Sequence, residues 1–216
     1  MKSRRYRLGQ RQASMEQTRA RIVAAAHRLL GAPDVTSEFT LDAVAARAGV
    51  ARMTVFNQFG SKRGLLEALF DDLAARGLLT PLRAAFMQPD PRDALDVLVA
   101  AFGAFWTSDR IVLRRIRALA SLDPDFGSAV LARDERRRGA LRAILGRLAE
   151  KEGKTPRAAQ DERIDVLHTL TSFETFDQLA GTQRNPAEVV PLVHRLVHAI
   201  LQLDAGGSRG SARARS

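Results

Sequence analysis

The chain has 216 residues, enough to bury a sizeable core and suited to one large or two small domains. Its 45% hydrophobic and 27% charged residues are those of a soluble globular protein, and no apolar run is long enough to span a bilayer. The absence of cysteine excludes disulfides and thiolate metal sites, and it fits a cytoplasmic setting. The N-terminus is basic and polar, unlike a secretory leader. Charge is concentrated: residues 1–63 hold twelve Lys/Arg against four Asp/Glu, a net +8 of the chain's +10, while residues 64–203 hold nineteen of each sign. A basic head on a neutral body is the electrostatic footprint of a protein that meets a polyanion.

In chain order, residues 1–13 read as a basic disordered arm carrying Arg4, Arg5, Arg7 and Arg11. A first helix over about 14–30 buries Ile22, Val23, Ala26, Leu29 and Leu30. Thr40 caps the next helix, and Phe39 is placed to staple onto Val44. Leu41, Val44, Ala45 and Ala48 face inward, Gly49 takes the turn and Val50 plugs the gap between helices. A second short helix over about 52–59 turns Val55, Phe56 and Phe59 inward. Its other face presents Arg52, Met53, Thr54, Asn57 and Gln58. Arginine suits guanine O6/N7, Asn and Gln suit adenine, and Thr or Met can touch the thymine methyl. Ser61 caps a third helix, whose first turn holds Lys62 beside the helix N-terminus, an arrangement suited to a phosphate. Two short helices around a tight turn, with a third starting at once, form the pattern of a helix-turn-helix DNA reader.

Residues 18–70 resemble the tetracycline-repressor (TetR) family. The resemblance rests on Ala24-Ala25-Ala26, Thr40, Val44-Ala45, Ala48-Gly49-Val50, Thr54-Val55-Phe56, Phe59, Lys62 and Leu65-Leu66. It implies that Thr40, Phe56, Gln58 and Lys62 hold phosphates and that Arg52, Met53, Thr54 and Asn57 read bases. Ala51 stands where the family has Ser or Thr, which removes a side-chain cap. Phe56 stands where Tyr is usual, which removes a hydroxyl, and Gln58 replaces a frequent His. In some relatives an arm like residues 1–13 reaches the minor groove. The resemblance also implies a C-terminal domain that binds a small molecule and forms a homodimer through its last two long helices, near 156–181 and 186–203. Two-fold symmetry then calls for a roughly palindromic operator.

Beyond residue 70 the helix starts repeat one phrase, a capping residue followed by proline: Thr80-Pro81, Asp90-Pro91, Asp123-Pro124, Thr155-Pro156 and Asn185-Pro186. Asn185 and Glu188 complete a capping box, while Pro191 calls for a kink or a late start in the last helix. Amphipathic stripes run through Leu95–Trp106, Ile164–Phe173 and Val190–Ile200. Arg133 to Arg138 read as an exposed face of alternating charge. Pocket candidates are Phe86, Met87, Phe102, Phe105, Trp106, Phe173 and Phe176, with Arg114, Arg117, His168, Glu174 and Asp177 as polar groups to orient a ligand. His194 and His198 have metal-ligand spacing on a helix, but no third ligand accompanies them, so no metal is expected.

The expected protein is all-α with nine or ten helices: an arm (1–13), a helix-turn-helix domain (14–63), a helical ligand-binding and dimerisation domain (64–204) and a disordered tail (205–216). The expected function is a transcriptional regulator, a repressor released from double-stranded DNA by an apolar or amphipathic small molecule. The alternative is a constitutive DNA-binding protein of the same fold without that switch. No cofactor or membrane partner is expected. An enzyme is not expected either, since the sequence has no HExxH, Glu-x-x-His pair, phosphate-binding Gly loop or triad-like grouping.

Overall fold

The computed structural model describes residues 2–32, 39–153, 156–182, 184 and 188–210; the side chains of residues 2–9, 11 and 202–210 lie outside that description. Eleven helices and no strand occur among the described residues. They are α1 (Lys2–Gly31), α2 (Leu41–Ala48), α3 (Arg52–Phe59), α4 (Lys62–Gly77), α5 (Leu79–Met87), α6 (Pro91–Ser108), α7 (Arg110–Leu122), α8 (Pro124–Glu152), α9 (Arg157–Leu170), α10 (Phe173–Ala180) and α11 (Val189–Gly210).

The local chemistry explains most boundaries. Asp90 Oδ1 accepts the Arg92 N–H at 2.9 Å with Pro91 in the first helical position, so the cap-proline phrase starts α6 as read. Asp123 does the same for α8, accepting the Phe126 N–H at 3.1 Å. Thr80-Pro81 behaves differently. α5 already begins at Leu79, and Pro81 sits in its first turn, where the amide has no intrahelical partner to lose. Pro191 falls in the first turn of α11 for the same reason, because that helix starts late, at Val189. Thr155, Asn185 and Pro186 lie outside the described residues, and so does tail segment 211–216. Residues 2–13 form the opening turns of α1, where an arm without secondary structure was expected, and residues 205–210 close α11. Neither stretch contains a proline, the residue that would break the helix outright. The arm residues Arg4, Arg5, Arg7 and Arg11 lie on those opening turns, with their side chains outside the described set.

The chain divides into two compact units: residues 1–74 with 111–130, and residues 75–110 with 131–216. In the first unit, α1 contributes Ile22, Val23, Ala25, Ala26 and Leu30 to the core. The same unit buries Val44, Ala45 and Ala48 of α2, Val55 of α3, Leu65, Leu66, Leu69 and Phe70 of α4, and Val112, Leu113 and Ile116 of α7, with α2 packed on both α1 and α3. Arg115 of α7 donates to the carbonyls of Leu30 and Ala32, giving orphaned acceptors at the end of α1 a charged partner.

The second unit is built around α6. Leu95, Leu98, Val99, Phe102, Phe105 and Trp106 form its buried face; α5, α10 and α11 pack on α6, and the unit also buries Leu141, Ile144 and Leu145 of α8, Ile164 and Leu167 of α9, Phe173 and Phe176 of α10, and Val193 and Val197 of α11. The stripe expected to form one helix over 156–181 is two helices, which raises the count above nine or ten. The break falls at Thr171-Ser172. Thr171 Oγ1 bonds back to Leu167 O at 2.8 Å, and Ser172 Oγ caps α10 by accepting the Thr175 N–H at 3.2 Å. The break frees backbone acceptors in the core, and two buried side chains take them. Trp106 Nε1 donates to Thr171 O at 2.9 Å. Arg137 donates to His168 O, and to Thr171 Oγ1 at 2.9 Å.

Arg137 therefore corrects the reading of 133–138 as a solvated charged face: it is only 5% exposed. Its guanidinium also lies 5.9 Å from the Phe102 ring and 3.4 Å from Asp134 Oδ1. His168 shares this node, its Nε2 standing 3.0 Å from Asp134 O. Burial pushes the imidazole below its ordinary 6.5, and the Arg137 guanidinium pushes the same way; the bond to Asp134 O opposes both. The unfolded chain then protonates His168 before the folded chain does. Stability is full above pH 6.5 and falls as the pH drops from there toward the lowered folded value. The melting temperature is expected to decline from pH 7.5 to pH 6 more steeply in the wild type than in His168→Gln. Parallel declines would remove His168 as the source.

Candidate nucleic-acid interface

The head of the first unit is organised by short-range rules. Thr40 Oγ1 accepts the Ala43 N–H at 3.1 Å and starts α2. Gly49 ends it with φ 63°, a left-handed conformation that glycine adopts without a Cβ penalty. The turn brings α3 across α2, with Val55 fully buried on its inner side. Ala51 precedes α3 and makes no side-chain cap, as its methyl group dictates.

That packing leaves one face of α3 open. Arg52, Met53, Phe56 and Asn57 are exposed; Thr54 and Gln58 are half-buried on its flanks. Phe56 corrects the periodic reading that turned it inward, since 48% of its surface is exposed. Over eight residues the helical period fixes the phase of Val55, but its neighbour points outward. Arg52 Nε lies 3.2 Å from Asp42 Oδ2 on α2, with both side chains mostly in solvent.

The far end of α3 is held by a residue the sequence did not single out. Arg19 of α1 donates to Gln58 O at 3.1 Å, and its guanidinium stands 4.4 Å from the centre of the Phe59 ring. A cation at a helix C-terminus and over a ring face is favourable on both counts. Its partner is 39 positions away, so no local pattern marks it.

Ser61 then caps α4, accepting the Gly64 N–H at 3.0 Å, and Lys62 projects from an exposed first turn with its Nζ 5.9 Å from the Phe39 ring. Gly64 is needed there for room, because a Cβ on it would collide with the carbonyl oxygen of Phe59. Backbone cannot swing aside as a side-chain tip does, so α3 and α4 would have to separate. Gly64→Ala is expected to destabilise the protein by about 1–3 kcal/mol, measured by chemical unfolding. A neutral or stabilised variant would contradict this close approach. Thr40, Arg52, Met53, Thr54, Phe56, Asn57, Gln58 and Lys62 are thus carried on three consecutive elements, α2 to α4 and their caps.

The second candidate site lies in the other unit. Trp106, Phe173, Phe176 and Asp177 line one cleft with Thr107 and Arg110; its volume is about 150 Å³ including open solvent. Phe105 and Phe102 pack on Trp106 with ring centres 4.8 and 5.9 Å away, and Phe173 meets it edge-on at 5.8 Å. Arg110 closes the cleft. Its Nε meets Asp177 Oδ1 at 2.5 Å, while an η nitrogen donates to Asp177 O and Gly181 O, each at 2.8 Å. Phe86 and Met87 are exposed on α5, and His168 belongs to the Arg137 node. His198 Nε2 lies 2.8 Å from Asp96 Oδ1 rather than turning to a shared ion with His194.

Residues 22–69 match the model of the family described as bacterial regulatory proteins, tetR family. A comparison with curated proteins gives no match. Among solved structures, the chain is similar to a transcriptional regulator of Pseudomonas aeruginosa PAO1, with TM-score 0.71, 17% identity, and 90% of this chain and 93% of that one covered. It is also similar to a TetR-family regulator of Mesorhizobium loti MAFF303099, with TM-score 0.64, 18% identity and coverage of 88% and 97%. A third, the regulator FadR of Bacillus subtilis in complex with stearoyl-CoA, gives TM-score 0.59, 14% identity and coverage of 82% and 96%. Such identities establish a shared fold. No helix among the described residues is long and apolar enough to cross a membrane.

Proposed function

We propose that this chain, whose residues 22–69 match the model of the tetR family of bacterial regulatory proteins, is a transcriptional repressor of that family, acting as a homodimer on a palindromic operator. The observation that carries this reading is the open face of α3, where Arg52, Met53, Phe56 and Asn57 are exposed within the helix-turn-helix. In this reading Arg52, Met53, Thr54 and Asn57 meet base edges in the major groove. Thr40, Gln58 and Lys62 hold phosphates, and Phe56 packs on the sugar–phosphate chain without the bond a hydroxyl would give. Arg4, Arg5, Arg7 and Arg11 add charge to the same end of the chain. Dimerisation is assigned to α9–α11, and the outer stripe of α11, with Pro191, Leu196 and Ala199 exposed, supports that assignment. Selection from randomised duplexes tests the reading. It should enrich a palindrome with half-sites about one helical turn apart, bound by two protomers. Failure to enrich any sequence would overturn it.

The ligand half of the proposal is that an amphipathic molecule enters beside Trp106, Phe173 and Phe176, displaces the Arg110–Asp177 pair and tilts α4. To act as a switch it must favour the DNA-incompetent state by about 1–3 kcal/mol. The FadR relative solved with stearoyl-CoA supports trying acyl-CoA first. A second reading, a constitutive DNA binder, is favoured by the tight packing of Phe102, Phe105, Trp106, Phe173 and Phe176, all buried, around a cleft that encloses essentially no free volume, where drug-sized sites enclose roughly 300–1,000 Å³. Trp106 is the chain's one tryptophan, so its fluorescence reports on that cleft alone. A saturable change on adding stearoyl-CoA, with loss of operator binding at the same concentrations, supports the switch. Operator binding that is unmoved supports the constitutive reading.

A further inference from the structure

We propose that Asp42 is a specificity-determining residue that aims Arg52 at its base. This inference rests on the reading of α3 as the base-reading helix. Asp42 lies in the first turn of α2, and Arg52 is the first residue of α3; Asp42 Oδ2 meets Arg52 Nε at 3.2 Å. The side chains are 70% and 62% exposed, so the pair adds little to the stability of the free protein. Its consequence is geometric. A guanidinium drawn on its Nε side toward the Asp42 carboxylate by charge, without a hydrogen bond between them, still has its two η nitrogens, and that edge can donate twice to guanine O6 and N7. Arginine has a long, mobile stem, and Ala51 before it offers no side chain to fix it. Asp42 supplies a bias in direction from the neighbouring helix.

The carboxylate acts a second time through its charge. Non-specific binding rests on phosphate contacts alone, and a carboxylate on the face that meets phosphates opposes it. On the right sequence the guanine contact of the aimed arginine offsets that repulsion. On any other sequence the repulsion stands uncompensated. Asp42 thus lowers affinity for DNA in general and raises discrimination between sequences.

The test uses the full-length protein on the selected operator, on scrambled DNA and on an operator with the Arg52-read base pair exchanged in both half-sites. Salt is fixed throughout. Asp42→Asn is expected to bind scrambled DNA a few-fold more tightly than the wild type and to lose a few-fold in operator preference. The loss should be concentrated at the exchanged base pair. Adding Asp42→Asn to Arg52→Ala should change that preference no further. If Arg52→Ala itself keeps the preference, the base-reading role of Arg52 fails, and the inference with it. If Arg52→Ala loses the preference while Asp42→Asn keeps it, the role of Asp42 is overturned and that of Arg52 survives. If Asp42→Asn weakens all DNA binding equally along with a lower melting temperature, Asp42 serves only α2, and the proposal is likewise overturned.

Discussion

Arg137→Ala is expected to destabilise the protein by about 3–5 kcal/mol, among the larger losses a single substitution produces. Arg137 is buried, and it donates to His168 O and Thr171 Oγ1 where α9 breaks into α10. Truncation leaves the His168 carbonyl without that donor in the core and takes from Asp134 its cation at 3.4 Å. The lost stem also opens space beside Phe102, over whose ring the guanidinium lies. At roughly 2–4 °C per kcal/mol for a chain of this size, the melting temperature should fall by roughly 6–20 °C. Arg136 is an exposed neighbour in the same run of charge, and Arg136→Ala is expected to stay within about 0.5 kcal/mol. Equal losses from the two variants would show that the node at Thr171 contributes nothing.

Gly103→Ala carries the second large effect, and its sign is the informative part. In an open helix this change stabilises by up to about 1 kcal/mol, because glycine has the greater backbone freedom to lose. Gly103 is buried on α6 against α10 and α11. A Cβ there would lie 2.5 Å from Val190 Cγ2 and 2.9 Å from Phe176 Cε1, distances that force both side chains to move. The expected result is a loss of about 1–3 kcal/mol. Val190→Ala removes the methyl in the way, so the double variant should cost less than the two single losses together. A stabilised Gly103→Ala, or strict additivity, would mean that α6 and α11 are not packed as closely as described.

The parts of this molecule legible in its sequence are those set by neighbours in the chain. Thr40 capping α2, Gly49 turning it, Val55 facing in and Ser61 capping α4 each depend on residues within a few positions. The same holds for Asp90 and Asp123 ahead of their prolines. What the sequence concealed depends on distant partners. Arg137 stands in a run of charged residues that looks solvated, and only the His168 carbonyl and the Thr171 hydroxyl, 31 and 34 positions later, explain its burial. The break at Thr171-Ser172 was hidden because the apolar period continues across it, while two hydroxyl side chains redirect the backbone bonds. Arg19 is an exposed arginine in a basic segment, and its hold on the end of α3 depends on the fold bringing Gln58 beside it. Phe102 and Phe173 pack on Trp106, but periodicity does not distinguish a packed aromatic cluster from the wall of a cavity.

The central claim is that α3 reads sequence, and Arg52→Ala tests it most directly. Fluorescence anisotropy would compare this variant with the wild type on the selected operator and on scrambled DNA, at one fixed salt concentration. The account predicts a loss of about 1–3 kcal/mol on the operator and little change on scrambled DNA. If both proteins bind both duplexes alike, with an affinity set only by salt, the head holds phosphates without reading bases and the regulator account is contradicted.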